Sequence, residues 1–153
     1  SANFLNKHFK NKLAKEIEND DLIQDFIRSS EKVFNHYENL ELNKAMKEIM
    51  SLADKANQYV DKMEPWVLIK DENNLDLVHK ICSTALNLFR ILTIMIEPVT
   101  PKLSKKSFIF LNEEPCWDDI KTSLLDHKIN SFKPLLTRIE DDQINQLMEL
   151  KNV

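Results

Sequence analysis

The sequence contains no glycine. Phosphate-cradling loops and dinucleotide fingerprints need glycine where the backbone approaches a ligand closely, so their absence removes the P-loop and the Rossmann turn. Tight two-residue hairpins also draw on glycine for positive φ. The lack therefore predicts helices joined by short turns rather than a β-rich fold. Cysteine is almost as scarce. Cys82 and Cys116 are the two in the chain; they are far apart, lack a metal or redox spacing, and read as free thiols of a reducing cytosol. Histidine is thin: no two of His8, His36, His79 and His127 stand three or four residues apart, so no zinc site is expected. No catalytic residues are expected either, because no serine or cysteine sits in a nucleophile elbow. No run approaches the ~20 apolar residues of a membrane span, and Ser1 opens no signal peptide. Without an initiator methionine, the sequence reads as cut from a longer chain.

What is present is ordinary for a packed domain of 153 residues, with 42% hydrophobic and 30% charged side chains. Twenty-one basic against 25 acidic residues give a net charge of −4. That balance argues against a generic DNA or RNA binder and leaves room only for local basic patches.

Apolar spacing organises the chain. Phe4, Leu5, Phe9, Leu13 and Ile17 predict a first helix over residues 2–17. Asn19 or Asp20 caps a second, running to about Asn39, with Leu22, Phe26, Val33 and Tyr37 as its stripe and Ile23, Ile27 and Phe34 widening it, so that it is covered on two sides. The third spans residues 41–63 and stops at Pro65, which biases Glu64 out of the α region. A fourth, opened by Asn73 or Asn74 and reaching Glu97, is apolar nearly all round and should be central. Thr100-Pro101 caps a fifth that ends near Leu111. Residues 112–133 read as an extended connection with a turn at Trp117, and residues 140–150 as a last short helix. The expected architecture is all-α: one domain over 1–153, in which an antiparallel bundle of about five main helices (1–112) carries a closing tail (113–153).

The acidic pairs Asp20/Asp21, Glu113/Glu114, Asp118/Asp119 and Asp141/Asp142 lie near helix starts or in connections, where they favour the helix dipole and solubility. The stretch from Ala56 through Pro65-Trp66 is more informative. A tryptophan just past a proline-terminated helix is held by a stiff turn. It either closes the end of the bundle or offers a platform for an unstacked base, a stack worth roughly 1–3 kcal/mol.

Asn57-x-Tyr59 followed by Pro65-Trp66 resembles the anticodon-binding domains of bacterial methionyl-tRNA synthetases. Other segments agree in order: Phe4-Leu5-Asn6-Lys7-x-Phe9, Ala45-Met46-Lys47-Glu48-Ile49-Met50, Ile81-Cys82-Ser83, Asn87-Leu88-Phe89-Arg90, Pro98-x-x-Pro101-Lys102-Leu103, and His127-Lys128-Ile129-Asn130-x-Phe132-Lys133 with Arg138-Ile139. The resemblance implies a helical bundle that reads a tRNA anticodon stem-loop of sequence CAU, with Trp66 packed on the anticodon and Pro65 fixing its approach. It implies an Asn and an Arg that would fall before Ser1. It also implies a cytoplasmic parent ligase whose catalytic domain, using ATP and Mg to attach methionine to its tRNA, lies outside this sequence, so the fragment itself needs no cofactor. The tail between His127 and Arg138 is implied to dock on that domain.

Beside the resemblance stand the physical readings. Asp54 and Asp61, seven apart, share a face of the third helix leading toward Trp66; they either solvate the helix or repel RNA backbones that approach in a wrong pose. Asn57 either bonds a base edge or braces the turn. Lys7, Lys10 and Lys15 are candidate phosphate contacts. So are Lys102 and Lys105 of Lys102-Leu103-Ser104-Lys105-Lys106, a run that looks like the lysine loop of class I synthetases but stands at a helix start with no nucleotide fold around it. Two other readings are carried: a helical bundle that binds a protein through the Trp66 turn, and the anticodon module of a sister synthetase for valine, isoleucine or leucine. Trp117 reads as a clamp on the tail.

Overall fold

The computed structural model describes residues 1–135; the expected helix over 140–150 lies outside them. Six α-helices follow in order: α1 (Ala2–His8), α2 (Asp20–Glu38), α3 (Leu42–Met63), α4 (Pro65–Leu68), α5 (Leu75–Ile96) and α6 (Pro101–Leu111). Two 3₁₀ turns, Glu72–Asn74 and Trp117–Lys121, complete the described secondary structure, and the described residues form no strand.

Helix α5 is the centre. It packs against α1, α2, α3, α4 and α6, and both 3₁₀ turns touch it. With the preceding turn it is long and apolar enough to pass for a membrane span. That corrects the expectation that no stretch comes close. Its apolar surface is spent inside the bundle, where Ile81, Leu88, Ile91, Ile94 and Met95 are buried with Ile23, Phe26 and Val33 of α2 and Ala45, Ile49 and Leu52 of α3. A second apolar cluster, built on Val78, Cys82 and Leu86, receives Leu5 of α1, Leu111 of α6 and Ile129 of the tail. Covered by α3 and α5 and by the Trp117 turn, α2 is packed on more than one side, as its wide stripe implied.

The first helix is shorter than its periodicity suggested. It stops at His8, and Lys10 and Asn11 take left-handed backbone conformations (φ 52° and 58°). The four-residue apolar steps continue because Leu13 is buried from an irregular segment. There the Leu13 N–H donates to the His127 carbonyl at 2.8 Å, and the Ile129 N–H donates to Asn11 O at 2.8 Å. Tertiary pairing with the tail, invisible to a local pattern, outcompetes helix continuation.

The glycine-free chain folds as helices joined by short turns, and it reaches positive φ without glycine at six of the described residues. Three of them end helices. After α2, Leu40 (φ 57°) donates to Tyr37 O and Glu41 to His36 O, the paired bonds of a Schellman stop that usually employs glycine. Asn112 does the same after α6. Glu64 (φ 43°) ends α3.

Two caps differ from expectation. Asn19 caps α2 as expected, accepting from the Leu22 N–H at 3.0 Å. Asn74 stands at the start of α5 as expected but makes no side-chain cap; the capping bond lies one turn earlier, where Asp71 accepts from the Asn73 N–H and opens a 3₁₀ turn. Thr100 precedes α6 without capping it; its hydroxyl turns back to Ile96 O.

The described part of the tail, residues 113–135, is held against the bundle by Asn87 and Arg90 of α5. Trp117 packs its ring against Phe34 and Tyr37 of α2, with centroids 5.7 and 6.2 Å apart, which makes it a clamp.

Candidate nucleic-acid interface

The C-terminal half of α3 alternates inward and outward residues at helical steps. Tyr59 is buried, and its hydroxyl donates to Glu18 at 2.9 Å. Burial, reinforced by that carboxylate, holds the phenol far above its ordinary range. On the opposite face Asp54, Asn57 and Asp61 are exposed at steps of three and four, one line along the helix. Neither aspartate makes an ion pair among the described residues. Asn57 and Asp61 form the polar rim of a groove of about 480 Å³ between α3, α5 and the start of α1, with Ala53, Ala56, Ala85 and Phe89 in its lining.

This face runs into the turn that carries Trp66. Because Pro65 disfavours the α region for the residue before it, Glu64 leaves α3 in the left-handed conformation (φ 43°, ψ 54°). The chain does not stay extended; it restarts at once as α4, with proline at a position where its missing N–H costs nothing. Glu64 O accepts from the Val67 and Leu68 N–H groups at 2.8 and 3.2 Å, and Pro65 O from Ile69 at 3.0 Å. Pro65 is buried, while Leu68 and Ile69 pack inward on the apolar clusters. Trp66 and Val67 are left facing solvent, at 43% and 46% exposure. An indole on a short, internally bonded helical turn meets a partner with little backbone entropy left to lose.

The candidate lysines divide into two groups. Lys7, Lys10 and Lys15 flank the segment where Phe9 stacks flat on His79 (centroids 4.1 Å, planes 2° apart) and His79 bonds the Lys12 carbonyl. They are therefore level with the first half of α5, the half nearer α4. Lys15 shares a hollow with Glu16, Asp76 and Lys80, and hydrogen bonds to Glu16 and Asp76 hold the Lys80 ammonium above its ordinary value. Lys102 and Lys105 start α6, where Ser104 donates to Thr93 O near the other end of α5. A helix of 22 residues separates its ends by about 30 Å, so the structure does not bring these two lysines to Trp66.

Sequence reading missed the buried polar residues of α5, most of which hold the segment after α1 or the tail. Ser83, Thr84, Asn87, Arg90 and Thr93 are buried on α5. The Ser83 hydroxyl accepts from the Ala14 N–H and that of Thr84 from Glu18. Asn87 brackets Leu124, donating to its carbonyl and accepting from its N–H. Arg90 donates to Glu113 and to the Asp119 and Thr122 carbonyls. The signal was available: polar side chains inside an otherwise apolar helix must have partners. The end of α6 is closed in the same way, with His127 on Leu111 O and Asn130 on Phe110 O and Ile109 O, which satisfies carbonyls that the helix leaves open. Among the described residues no three His, Cys, Asp or Glu side chains gather as a metal site.

Comparison with known proteins agrees with this arrangement. In solved structures, the chain resembles Mycobacterium tuberculosis methionyl-tRNA synthetase in its free state, with a TM-score of 0.80 and 19% identity over 91% of this chain and 30% of that one. The same enzyme in complex with methionyl-adenylate gives a TM-score of 0.80 and 19% identity, covering 90% of this chain and 29% of the enzyme. The likeness shows a shared fold, and the chain spans under a third of those structures. The family model for the anticodon binding domain of methionyl tRNA ligase matches residues 12–150, most of the sequence. The chain with the Trp66 turn at the end of α3 and the tail clasped by α5 therefore belongs to the family of methionyl-tRNA ligase anticodon-binding domains.

Proposed function

We propose that this domain reads the CAU anticodon stem-loop of a methionine tRNA, with Trp66 as the stacking platform. One observation carries the reading: an indole 43% exposed on a turn whose proline is buried, at the end of the helix that presents Asp54, Asn57 and Asp61. The loop of an anticodon arm supplies unpaired bases that stack on such a ring. Asn57 faces a groove rim, where it can meet a base edge, and the two aspartates disfavour a phosphate backbone laid along α3. Lys7, Lys10 and Lys15 serve the arm's phosphates from the Trp66 end. Lys102 and Lys105 serve only an RNA that runs the length of the bundle. With a net charge of −4, few phosphates are neutralised and the salt dependence is shallow.

The parent chain attaches methionine to this tRNA in the cytoplasm, with ATP and Mg bound by a catalytic domain outside the sequence, and the domain itself performs no chemistry. The tail docks that catalytic domain. Residues free for docking are those not already used inside the bundle: Ile129 is buried and His127 is bonded to Leu111 O, whereas Lys128 and Phe132 face solvent. Arg138 lies outside the described residues.

The test is a titration of the chain with a CAU stem-loop, followed by tryptophan fluorescence, beside a loop with one changed anticodon base. Trp66→Ala should weaken the matched loop by roughly 1–3 kcal/mol. Equal binding by wild type and Trp66→Ala would overturn the platform, and equal binding of both loops would overturn anticodon reading by this chain.

A further inference from the structure

Tyr59 lies two residues after Asn57 and two before Asp61 on α3. At about 100° of turn per residue, both polar side chains stand nearly opposite it across the helix. The Tyr59 ring is 7% exposed, and its hydroxyl donates to Glu18 at 2.9 Å. The Glu18 N–H donates in turn to Thr84 Oγ1 of α5 at 2.9 Å, and that hydroxyl donates to Lys80 O. Helix α3 is therefore bonded to α5 through the segment before α2. Among the described residues, the other side-chain hydrogen bond from α3 to a separate helix, Lys55 to Asp25, is on the exposed surface. Burial first, then the Glu18 carboxylate, raises the Tyr59 phenol above its ordinary value, so the group stays a donor at neutral pH.

Helices α3 and α5 are also two walls of the groove that has Asn57 and Asp61 on its rim. The other α3 and α5 residues lining it, among them Ala53, Ala56, Ala85 and Phe89, are apolar. Apolar burial is non-directional. It presses the two helices together without choosing the roll of α3 about its own axis. A hydrogen bond is directional, and Glu18 offers Tyr59 one. A roll of α3 that carries Tyr59 one way carries Asn57 and Asp61 the other. We infer that Tyr59 and Glu18 are positioning residues for base recognition: their hydrogen bond sets the roll of α3 and so aims Asn57 at a base edge. This role rests on the anticodon reading proposed above. Trp66 is outside its reach, because the buried Pro65 and the bonds within α4 hold the indole separately. The pair therefore governs discrimination between bases and leaves the stack unchanged.

The full chain is titrated with the CAU stem-loop and with a loop carrying one changed anticodon base. Tyr59→Phe keeps the ring and removes the bond. It should lower the ratio of matched to changed affinity by about fivefold, with binding of the changed loop nearly constant. Glu18→Ala should do the same, and Glu18→Gln, which keeps an acceptor oxygen, should restore the ratio. In an Asn57→Ala background, Tyr59→Phe should change the ratio no further, since residues that act as one unit are not additive. Without RNA, the side-chain amide resonance of Asn57 should move in Tyr59→Phe and Glu18→Ala and return in Glu18→Gln. Equal weakening of both loops, additive losses, or an unmoved Asn57 resonance would overturn the positioning role and leave Tyr59 a packing residue. A ratio unmoved by Tyr59→Phe, in a chain whose wild type discriminates, would overturn that role alone. A wild type that binds neither loop, or both equally, would overturn the anticodon reading and this role with it.

Discussion

The buried Arg90 guanidinium donates its Nε to Glu113 at 2.5 Å while its Nη1 holds the Asp119 and Thr122 carbonyls at 2.8 and 2.9 Å. One side chain of the central helix thus fixes three points of a tail with little regular structure of its own. Replacing Arg90 by Met leaves a poorly solvated carboxylate and two unpaired carbonyls and should cost about 3 kcal/mol. Replacing Glu113 by Leu as well removes the orphaned charge, so the double variant should be more stable than Arg90→Met alone. Urea denaturation midpoints decide this; a double variant worse than the single would contradict the account.

Asn87 predicts a more local effect. Its amide satisfies both backbone groups of Leu124. Asn87→Leu should lose about 1–3 kcal/mol, with faster hydrogen exchange at the Leu124 amide as the direct signature. An unchanged exchange rate there would mean that other contacts hold the tail.

Leu40 stands in the left-handed region at the stop after α2, 86% exposed. A side chain with almost no burial gains nothing for the strain it bears. Leu40→Gly should therefore stabilise the chain by about 1 kcal/mol, visible as a higher unfolding midpoint. Loss of stability would show that Leu40 has a packing role.

Acid should loosen the tail. The Cys116 N–H bonds Asp119 at 2.7 Å and holds its carboxyl below the ordinary value, and the Lys12 ammonium does the same for Asp126. A carboxylate whose folded pKa is depressed contributes stability above its unfolded pKa, near 3.8. That contribution is lost as pH falls through the lower folded value. In a Trp66→Phe background, the Trp117 fluorescence should report release of the tail below about pH 4. Asp126→Asn should flatten that transition; an identical transition would place the effect elsewhere.

The two tryptophans should separate stability from binding. Trp117→Ala removes a ring packed on Phe34 and Tyr37 and should cost about 2–3 kcal/mol of stability with little change in RNA affinity. Trp66→Ala should cost under about 1 kcal/mol of stability, since the ring is partly exposed, while affinity for the stem-loop falls. The reverse pattern in a denaturation and titration pair would overturn both assignments.

Much of this protein follows from the order of its residues. Apolar spacing determined α2, α3, α5 and α6 to within a residue or two, because each buries a continuous stripe and local periodicity reports burial. Pro65 determined where α3 ends, and the ordered segments around Pro65-Trp66 carried the family. What the sequence could not decide were features made by contacts between distant residues. The end of α1 at His8, the left-handed Leu40, and the exposure of Trp66 with its proline buried depend on what packs alongside. Arg90 and Asn87 look like interruptions in an apolar helix until the tail, 23 to 37 residues onward, supplies their partners. A side chain's hydrogen-bonding capacity is local, but its satisfaction is tertiary, so only the folded chain shows which polar groups hold the structure and which remain open to a partner.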